Sequence, residues 1–289
     1  MKKKVLSLVF CAALTAGLLA GCGSSDTEEE VSTASSDTSA ESEESSDRPL
    51  EGEHLIFGIN ATFAPFEYVE GTDEDGEEIL AGLDIDLVAE FAEILGFTYE
   101  FSDMEFNALT GAITSGRCDV IVSGITINDE RDEVTDASDG YFSPRIAILS
   151  YEDAEYEDVE SLDGKSVGVS LGTVYEYICE DTGYIDTKTY DSTAVAFQDL
   201  ANGNLDACMF DATQAQNFVE DNPDLGLVTN IMPYSYNEEY QVQEYVVLVP
   251  EGETELLSCF NDAIDQLQED GTLDELIIKW CGEEFLTAE

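Results

Sequence analysis

The sequence predicts an α/β protein built from two similar lobes. From His54 onward, segments with strand character alternate with amphipathic helical segments. Such alternation is typical of sheets covered by helices. A short unit made of a helix, Gly-x-x-Asp and a strand occurs at residues 107–123 and again at 194–210. This repeat favours two similarly built lobes, with chance similarity as the alternative for so short a unit.

The first 21 residues have the pattern of a signal peptide. Lysines at positions 2–4 precede an apolar run at 5–20, which has the length of a signal-peptide core and is short for a membrane span. The run ends in Leu-Ala-Gly-Cys at 19–22, which resembles the lipobox of bacterial lipoproteins. We therefore expect cleavage before Cys22 and a lipid on its thiol. An ordinary secretory peptide cut nearby is the alternative.

Residues 22–51 are expected to form a disordered acidic linker between the lipidated cysteine and the folded part. Residues 23–50 consist almost entirely of Ser, Thr, Glu, Asp and Ala and contain no aromatic residue. Such a segment cannot bury enough apolar surface to offset the entropy of folding. The linker should let the folded part move above the membrane.

The folded part is predicted as alternating strands and helices. The helix at 84–95 carries Ile85, Val88 and Phe91 on one face, and Gly96 follows as its C-cap. The predicted strands are 55–59, 98–101, 120–123, 166–170, 207–210 and 245–249. The predicted helices are 84–95, 107–115, 174–180, 194–201, 255–269 and 273–280.

Composition excludes several classes of function. The chain has 65 acidic and 10 basic residues, a net charge of −55 that repels phosphate backbones, so we expect no nucleic-acid partner. His54 is the only histidine and no Cys-x-x-Cys occurs, so we expect no metal site and no cofactor. The five cysteines that remain after Cys11 and Cys22 are odd in number and irregularly spaced, unlike a disulfide framework. Gly-x-Ser-x-Gly at 168–172 lacks a later histidine for a triad, so we expect no catalytic residues.

Five motifs, in order along the chain, resemble the family 3 extracellular solute-binding proteins, which serve ABC importers of polar amino acids. They are FAPFEY at 63–68, GLDIDL at 82–87, SGITINDER at 123–131, LDGKSVGV at 162–169 and GTLDELIIKW at 271–280. The similarity runs from about residue 53 to about residue 284.

This resemblance implies a two-lobe, periplasmic-binding-protein-like (type II) fold with a discontinuous first lobe. Residues 52–144 and 243–289 would form lobe 1, and residues 145–242 would form lobe 2. The chain would cross between the lobes near Pro144 and near Gln241. Two crossings make a hinge whose closure buries a ligand.

The resemblance also implies which residues bind the two charged ends of an amino-acid ligand. Arg131, five residues after Thr126, stands where the family binds the α-carboxylate, and a guanidinium can hold a carboxylate through two hydrogen bonds. A surface ion pair with a neighbour such as Asp132 is the alternative. Asp211 stands where the family binds the α-ammonium group. A helix N-cap is the alternative for Asp211, and both roles are compatible.

Further site residues follow from position or from the family pattern. Ser123, Gly124 and Thr126 follow a predicted strand, where ligands bind in open α/β sheets. The turn at 170–173 precedes a helix, so its backbone N–H groups and Thr173 are candidates for the carboxylate, although the family commonly has a second threonine where Val174 stands. By the same resemblance, Phe63 and Phe106 stand where the family places aromatic or apolar residues against the ligand side chain. Asn60 and Tyr175 stand near positions that vary with specificity in the family. For the two phenylalanines, the alternative is an ordinary core position.

The function implied is that of a monomeric, lipid-anchored receptor at the extracellular face of the membrane. It would bind a free polar amino acid between its lobes and deliver it to ABC permease subunits. Asn60 in place of an acid disfavours a strongly basic ligand, which leaves glutamine and cystine as candidates. One alternative is a dehydratase of prephenate or arogenate on the same scaffold. Another is a sensory receptor that reports the amino acid to a membrane kinase, which the sequence does not separate from transport.

Overall fold

The computed structural model describes residues 48–154 and 156–286. The predicted signal peptide, Cys22 and most of the predicted linker fall in residues 1–47 and therefore lie outside the described residues. Within the described ranges, no helix has the length and apolar character needed to span a bilayer.

The described residues form thirteen strands and nine α-helices. The strands are β1 (His54–Ile59), β2 (Thr62–Phe63), β3 (Glu67–Thr72), β4 (Glu78–Ala81), β5 (Thr98–Asp103), β6 (Val120–Ile121), β7 (Thr135–Phe142), β8 (Ile146–Tyr151), β9 (Ser166–Ser170), β10 (Asp186–Tyr190), β11 (Ala207–Asp211), β12 (Leu227–Ile231) and β13 (Tyr245–Pro250). The helices are α1 (Leu83–Leu95), α2 (Leu109–Thr114), α3 (Asp129–Asp132), α4 (Val174–Thr182), α5 (Thr193–Ala201), α6 (Ala212–Asp221), α7 (Ser235–Glu239), α8 (Thr254–Asp270) and α9 (Thr272–Trp280).

Two five-stranded sheets share one pattern of strand directions. The first has the order β5-β1-β6-β13-β7 and the second the order β10-β9-β11-β8-β12. In each sheet the first three strands are parallel, and the last two are each antiparallel to the neighbour before them. We refer to the halves of the molecule built on these sheets as lobe 1 and lobe 2. The two strands of the repeated sequence unit, β6 and β11, both occupy the third place in their sheets.

The repeated Gly-x-x-Asp unit makes the same hydrogen bonds in both lobes. In lobe 1 the Asp119 carboxylate accepts from the Ile56 N–H at 2.8 Å, and the Asp119 N–H donates to the Ile56 carbonyl. In lobe 2 the Asp206 carboxylate accepts from the Ser166 N–H at 2.8 Å, and the Asp206 N–H donates to the Ser166 carbonyl. Each aspartate therefore ties the entry of the third strand to the start of its parallel neighbour.

Helices cover both sheets and bury an aromatic core. In lobe 1, the ring of Phe260 of α8 packs against both Phe57 of β1 and Phe91 of α1, and all three side chains are fully buried. In lobe 2, Phe197 of α5 packs against Phe210 of β11 with ring centroids 4.9 Å apart. A separate three-stranded sheet, β2-β3-β4, lies next to α1 and carries the 63–68 motif.

The chain passes between the sheets twice, after β7 and again before β13. The predicted crossings near Pro144 and Gln241 fall in these two segments. The segments are joined to each other, because Asn237 Nδ2 donates to the Pro144 carbonyl at 2.7 Å and the Ser143 hydroxyl donates to the Glu244 carboxylate at 2.6 Å. A displacement of one crossing would therefore be transmitted to the other.

Most predicted elements agree with the structure to within a few residues, but seven strands were not predicted: β2, β3 and β4 of the three-stranded sheet, and β7, β8, β10 and β12 of the five-stranded sheets. The predicted helix at 107–115 is a 3₁₀ turn followed by the short helix α2. Of the unpredicted strands β7, β8, β10 and β12, three lie at sheet edges. Edge strands are covered on fewer sides, so β10 (DTKTY) and β7 (TDASDGYF) lack a continuous apolar run.

We predict that Asp119→Ala and Asp206→Ala each lower the free energy of unfolding, because each removes a carboxylate that accepts a backbone N–H. We expect a loss of about 1–2 kcal/mol for the half-buried Asp119 and less for the exposed Asp206. The two losses should add, since the residues lie in different lobes. Urea denaturation measures the losses, with Asp224→Ala as the control. Equal stability of all three variants would contradict the prediction.

Candidate functional site

A cavity lies between the lobes at the carboxyl ends of their parallel strands. Ten residues line it, four from lobe 1 (Asn60, Phe63, Phe106, Gly124) and six from lobe 2 (Ser170, Thr173, Asp191, Thr193, Phe210, Gln214). Asn60 follows β1, Gly124 follows β6 and Asp191 follows β10. Five predicted site residues, Asn60, Phe63, Phe106, Gly124 and Thr173, therefore meet in one cavity.

Arg131 lies beside this cavity and spans the two lobes. Its Nη1 donates to the Thr126 carbonyl at 2.7 Å, and its Nη2 donates to the Gly172 carbonyl of lobe 2 at 2.9 Å. The guanidinium carbon lies 5.3 Å from the ring centre of Phe106, which lines the cavity. Helix α3, capped by the Asn128 carboxamide that accepts from the Arg131 N–H, fixes the backbone at this position.

The guanidinium of Arg131 is buried and forms no ion pair among the described residues. The residue is 6% exposed, and burial lowers the pKa of its side chain to about 10. Ion pairs among the described residues involve other cations, so the alternative of a surface ion pair with Asp132 is not realised. Backbone carbonyls supply dipoles but no negative charge. The site therefore favours an anion.

Asp211 is fully buried at the N-terminus of α6. Its Oδ1 accepts from the N–H groups of Thr213 and Gln214 at 2.8 and 3.3 Å and from the Thr213 hydroxyl. Its Oδ2 accepts from the Tyr245 hydroxyl of lobe 1 at 3.2 Å. The helix-cap alternative is thus realised, and a second bond crosses between the lobes. Burial raises the pKa of Asp211 to about 6.

Asp211 does not itself line the cavity, but its neighbours on both sides do. Phe210 precedes it in β11, and Gln214, whose N–H it accepts, follows in α6. Its role in binding an ammonium group stays a prediction.

In the turn before α4, some of the groups expected to bind a ligand anion are hydrogen-bonded within the protein. The Gly172 N–H donates to the Glu176 carboxylate at 2.6 Å, and the Thr173 hydroxyl donates to the Ser170 carbonyl at 2.7 Å. Thr173 also caps α4 by accepting from the Glu176 N–H. The expectation that these backbone donors wait for a ligand is therefore wrong for Gly172, because the chain supplies its own carboxylate there.

Glycine is required at position 124 in the cavity wall. The backbone of Gly124 has φ +47°, and a Cβ there would lie 2.4 Å from the ring of Phe63. Phe63 in turn stacks on Phe66 with ring centroids 4.9 Å apart. The close approach of Gly124 and Phe63 sets the width of the cavity on the lobe 1 side.

Besides Arg131 and Asp211, three predicted site residues do not line the cavity. The buried Ser123 hydroxyl donates to Glu67 and accepts from the Asn60 N–H, so it supports the wall from behind. Thr126 contributes its carbonyl to Arg131 and pairs with Tyr245 as an isolated β-bridge. Tyr175 is buried in the lobe 2 core beside Phe210.

Residues that the sequence analysis did not assign to the site also line the cavity. Asp191 and Thr193 follow the unpredicted strand β10, and the Thr193 hydroxyl lies 3.0 Å from that of Ser170. Gln214 lies in the first turn of α6. The rule that ligands bind at the carboxyl ends of strands would have pointed to Asp191 and Thr193 had β10 been recognised.

The described residues contain no cluster of metal-ligating side chains, and their five cysteines are free thiols. In the part of the chain that the structure covers, the chemistry of the site therefore consists of one buried cation, buried carboxyl groups, amides, hydroxyls and aromatic rings.

Comparison with known proteins gives consistent results. The model of the bacterial extracellular solute-binding proteins, family 3, matches residues 55–283. The L-cystine-binding protein TcyJ of Escherichia coli K12 is 32% identical over 231 residues, covering 79% of this chain and 82% of that protein. The arginine-binding extracellular protein ArtP of Bacillus subtilis is 30% identical over 233 residues, covering 78% and 85%.

Solved structures share the fold. An ancestral arginine-binding protein bound to glutamine is 35% identical with a TM-score of 0.71, covering 80% of this chain and 98% of that one. The amino-acid transporter protein AbpA of Streptococcus pneumoniae, bound to L-arginine, is 29% identical with a TM-score of 0.70, covering 81% and 97%. The predicted two-lobe α/β fold is thereby confirmed.

The matched region takes in both sheets, the cavity between them and every predicted ligand-binding residue. This chain belongs to the bacterial extracellular solute-binding proteins, family 3.

Proposed function

We propose that this protein binds a free polar amino acid in the cavity between its lobes and delivers it to the permease of an ABC importer. The observation that carries the proposal is the guanidinium of Arg131, which is buried beside that cavity and forms no ion pair among the described residues. Relatives named for binding cystine and arginine support the ligand class.

Arg131 is the partner of the ligand carboxylate in this proposal. A buried charge without a counter-ion is costly, and a bidentate carboxylate offsets that cost better than two carbonyl dipoles do. Nη1 and Nη2 each use one N–H on a backbone carbonyl, which leaves the other donors of the fork for a ligand. In a chain with 65 acidic residues, the absence of an ion pair at Arg131 among the described residues keeps this position free for an incoming anion.

Asp211 is the partner of the ligand ammonium group. It belongs to lobe 2, whereas Arg131 belongs to lobe 1, so a zwitterion that contacts both favours the closed arrangement of the lobes. Only a ligand that binds the closed form better than the open form shifts this equilibrium. The permease would then recognise the closed form.

The rest of the cavity is suited to a polar side chain. Phe63 and Phe106 offer apolar faces, whereas Ser170, Thr193 and Gln214 offer hydroxyl and amide groups. Asn60 carries no negative charge, but Asp191 places a carboxylate in the cavity wall. We therefore keep cystine and glutamine as candidate ligands and add arginine, whose cation Asp191 would favour.

The proposal places the protein, as a monomer, at the extracellular face of the membrane, held by a lipid on Cys22. The basic, apolar and Leu-Ala-Gly-Cys sequence of residues 2–22 supports this anchoring. The dehydratase alternative gains no support, because the relatives described above are named as binding proteins. A sensory role would use the same cavity and the same closure.

We predict that L-cystine, L-glutamine or L-arginine raises the melting temperature of the purified chain, because a ligand that binds only the folded state stabilises it. A thermal-shift screen of the common amino acids and cystine measures this effect, with prephenate and arogenate included as non-transport controls. No shift with any amino acid would contradict the proposal.

We predict that Arg131→Ala abolishes amino-acid binding, because the ligand carboxylate would be buried without a partner. The loss should be on the order of 3–5 kcal/mol, more than a hundredfold in affinity. Isothermal titration calorimetry measures it, with the exposed Arg117→Ala in the same lobe as the matched control. Near-normal affinity in Arg131→Ala would refute the assignment.

We predict that affinity falls as the pH is lowered through about 6, the pKa of Asp211. Contact with an ammonium group lowers the pKa of Asp211, so the complex requires the ionised carboxylate, and below pH 6 affinity should fall by about tenfold per pH unit. Calorimetry from pH 4.5 to 7.5 tests this dependence. Asp211→Asn, which preserves a good helix cap, should bind weakly and lose the acid dependence; an unchanged profile would remove Asp211 from the site.

A further inference from the structure

Two carboxyl groups lie buried against each other behind the cavity wall of lobe 1. They are Glu67, at the start of β3, and Asp84, in the first turn of α1, and both residues are fully buried. Their side chains are within hydrogen-bonding reach of each other. The family comparison assigns no role to either residue, and neither lines the cavity.

The two carboxyl groups hold three site residues in place. The Glu67 Oε1 accepts from the Ser123 hydroxyl at 2.5 Å, and that hydroxyl accepts from the Asn60 N–H at 3.1 Å. The Asp84 Oδ2 accepts from the Gly124 N–H at 2.7 Å. Asn60 and Gly124 form the lobe 1 wall of the cavity. The position of this wall therefore depends on the pair.

The surroundings of the pair contain no cation to balance two negative charges. Ion pairs among the described residues do not include Glu67 or Asp84. The titratable groups that face the pair are the Tyr141 phenol of β7 and, further away, the Cys281 thiol after α9. Both are neutral at pH 7, because burial and nearby carboxylates raise the pKa of each.

Hydrogen-bond geometry identifies the group that holds a proton. Asp84 accepts at both oxygens, from the Tyr141 hydroxyl at 3.0 Å and from the Gly124 N–H, and the N-terminal end of α1 also favours its charge. Glu67 Oε2 is buried and has no N–H or O–H donor among the described residues. A protonated Oε2 that donates to Asp84 satisfies both groups. Burial, followed by the charge of Asp84, raises the pKa of Glu67 well above its usual value.

We propose that Glu67 and Asp84 share a single proton and act together as a positioning pair for the ligand cavity, so that amino-acid affinity depends on this proton. When the proton is lost, two adjacent carboxylates repel each other in a buried site. The repulsion is relieved by separation of β3 from α1, which displaces Ser123 and Gly124. The inference rests on the proposed amino-acid binding only for its effect on affinity, and the shared proton itself is independent of any ligand.

The sign of the pH dependence follows from the raised pKa of Glu67. The folded state holds a proton that the unfolded chain releases at an ordinary pKa. The bound proton therefore stabilises the fold fully only below the ordinary pKa of glutamate, and this contribution is lost progressively as the pH rises from there through the raised folded-state pKa. Protonation of Asp211 lowers the affinity at acid pH, and loss of the shared proton lowers it at alkaline pH. Amino-acid affinity should therefore be highest at an intermediate pH.

Infrared spectroscopy tests the proton without a ligand. At pH 7 exposed carboxyl groups are ionised, so the purified protein should show a protonated-carboxyl stretching band that is absent from Glu67→Gln. Glutamine keeps the shape, the acceptor for Ser123 and a donor towards Asp84, so this variant should fold. Glu78→Gln, an exposed position on the adjoining strand β4, is the matched control and should retain the band. Absence of the band from the unsubstituted protein would overturn the proposal without any variant.

Calorimetry from pH 6 to pH 10 tests the effect on affinity, with the tightest-binding of L-cystine, L-glutamine and L-arginine. Relative to Glu67→Gln, the unsubstituted protein should lose affinity by severalfold or more as the pH rises through the raised pKa of Glu67, whereas Glu78→Gln should follow the unsubstituted protein. This ratio cancels the titration of the ligand's own amino group. Parallel profiles in Glu67→Gln and the unsubstituted protein would overturn the positioning role. Failure of every amino acid to bind would contradict the proposed function and leave the infrared test of the pair intact.

Discussion

The structure depends on charged groups that are buried at strand ends and are balanced mainly by dipoles. Arg131, Asp211 and Asp84 are each at least nine-tenths buried, and none forms an ion pair among the described residues. Removal of such groups from water costs several kcal/mol per ion, which the surrounding carbonyl, N–H and hydroxyl dipoles only partly offset. A fold that relieved this cost internally would place the opposite charges in contact. This fold keeps the cation and the anion in different lobes, so a zwitterion bound between them, as proposed, would satisfy both.

The repeated topology explains how the two charged residues come to lie next to one cavity. Strands β6 and β11 have the same place and the same neighbours in their sheets, and each is tied to a parallel neighbour by an equivalent aspartate. Their carboxyl ends therefore lie in equivalent positions. The chain after β6 leads to Arg131, and β11 ends at Asp211 itself. The two lobes are connected by two chain crossings. The carboxyl ends of β6 and β11 can therefore lie opposite each other although no strand or helix runs through the site between them.

How much the sequence predicts depends on whether the signal is local. The amphipathic pattern predicts α1 to within one residue, and the apolar run of β9 predicts that strand in full. The N–H of Gly172 donates to Glu176. Thr173 and Glu176 have the spacing of a capping box, which would have predicted that Glu176 accepts from the backbone before α4, but the sequence interpretation did not use this signal. Asp191 was missed because β10 is an edge strand without an apolar run. The Glu67–Asp84 contact cannot be predicted from local sequence patterns, because the two acids become neighbours only when β3 packs next to α1.

Two hydrogen bonds between the lobes involve the groups that the proposed ligand needs. The Arg131 Nη2 donates to the Gly172 carbonyl, and the Tyr245 hydroxyl donates to Asp211 across the lobes. A bound amino acid would therefore use the remaining N–H donors of Arg131 at one end and compete with a phenol for a carboxylate at the other. At the Asp211 end its contribution to affinity is the difference between a charged and a neutral hydrogen bond, which is smaller than the contact alone. The ligand would also stabilise closure beyond what the protein achieves alone, because the charged bonds form only when both lobes and both ends of the zwitterion are in place.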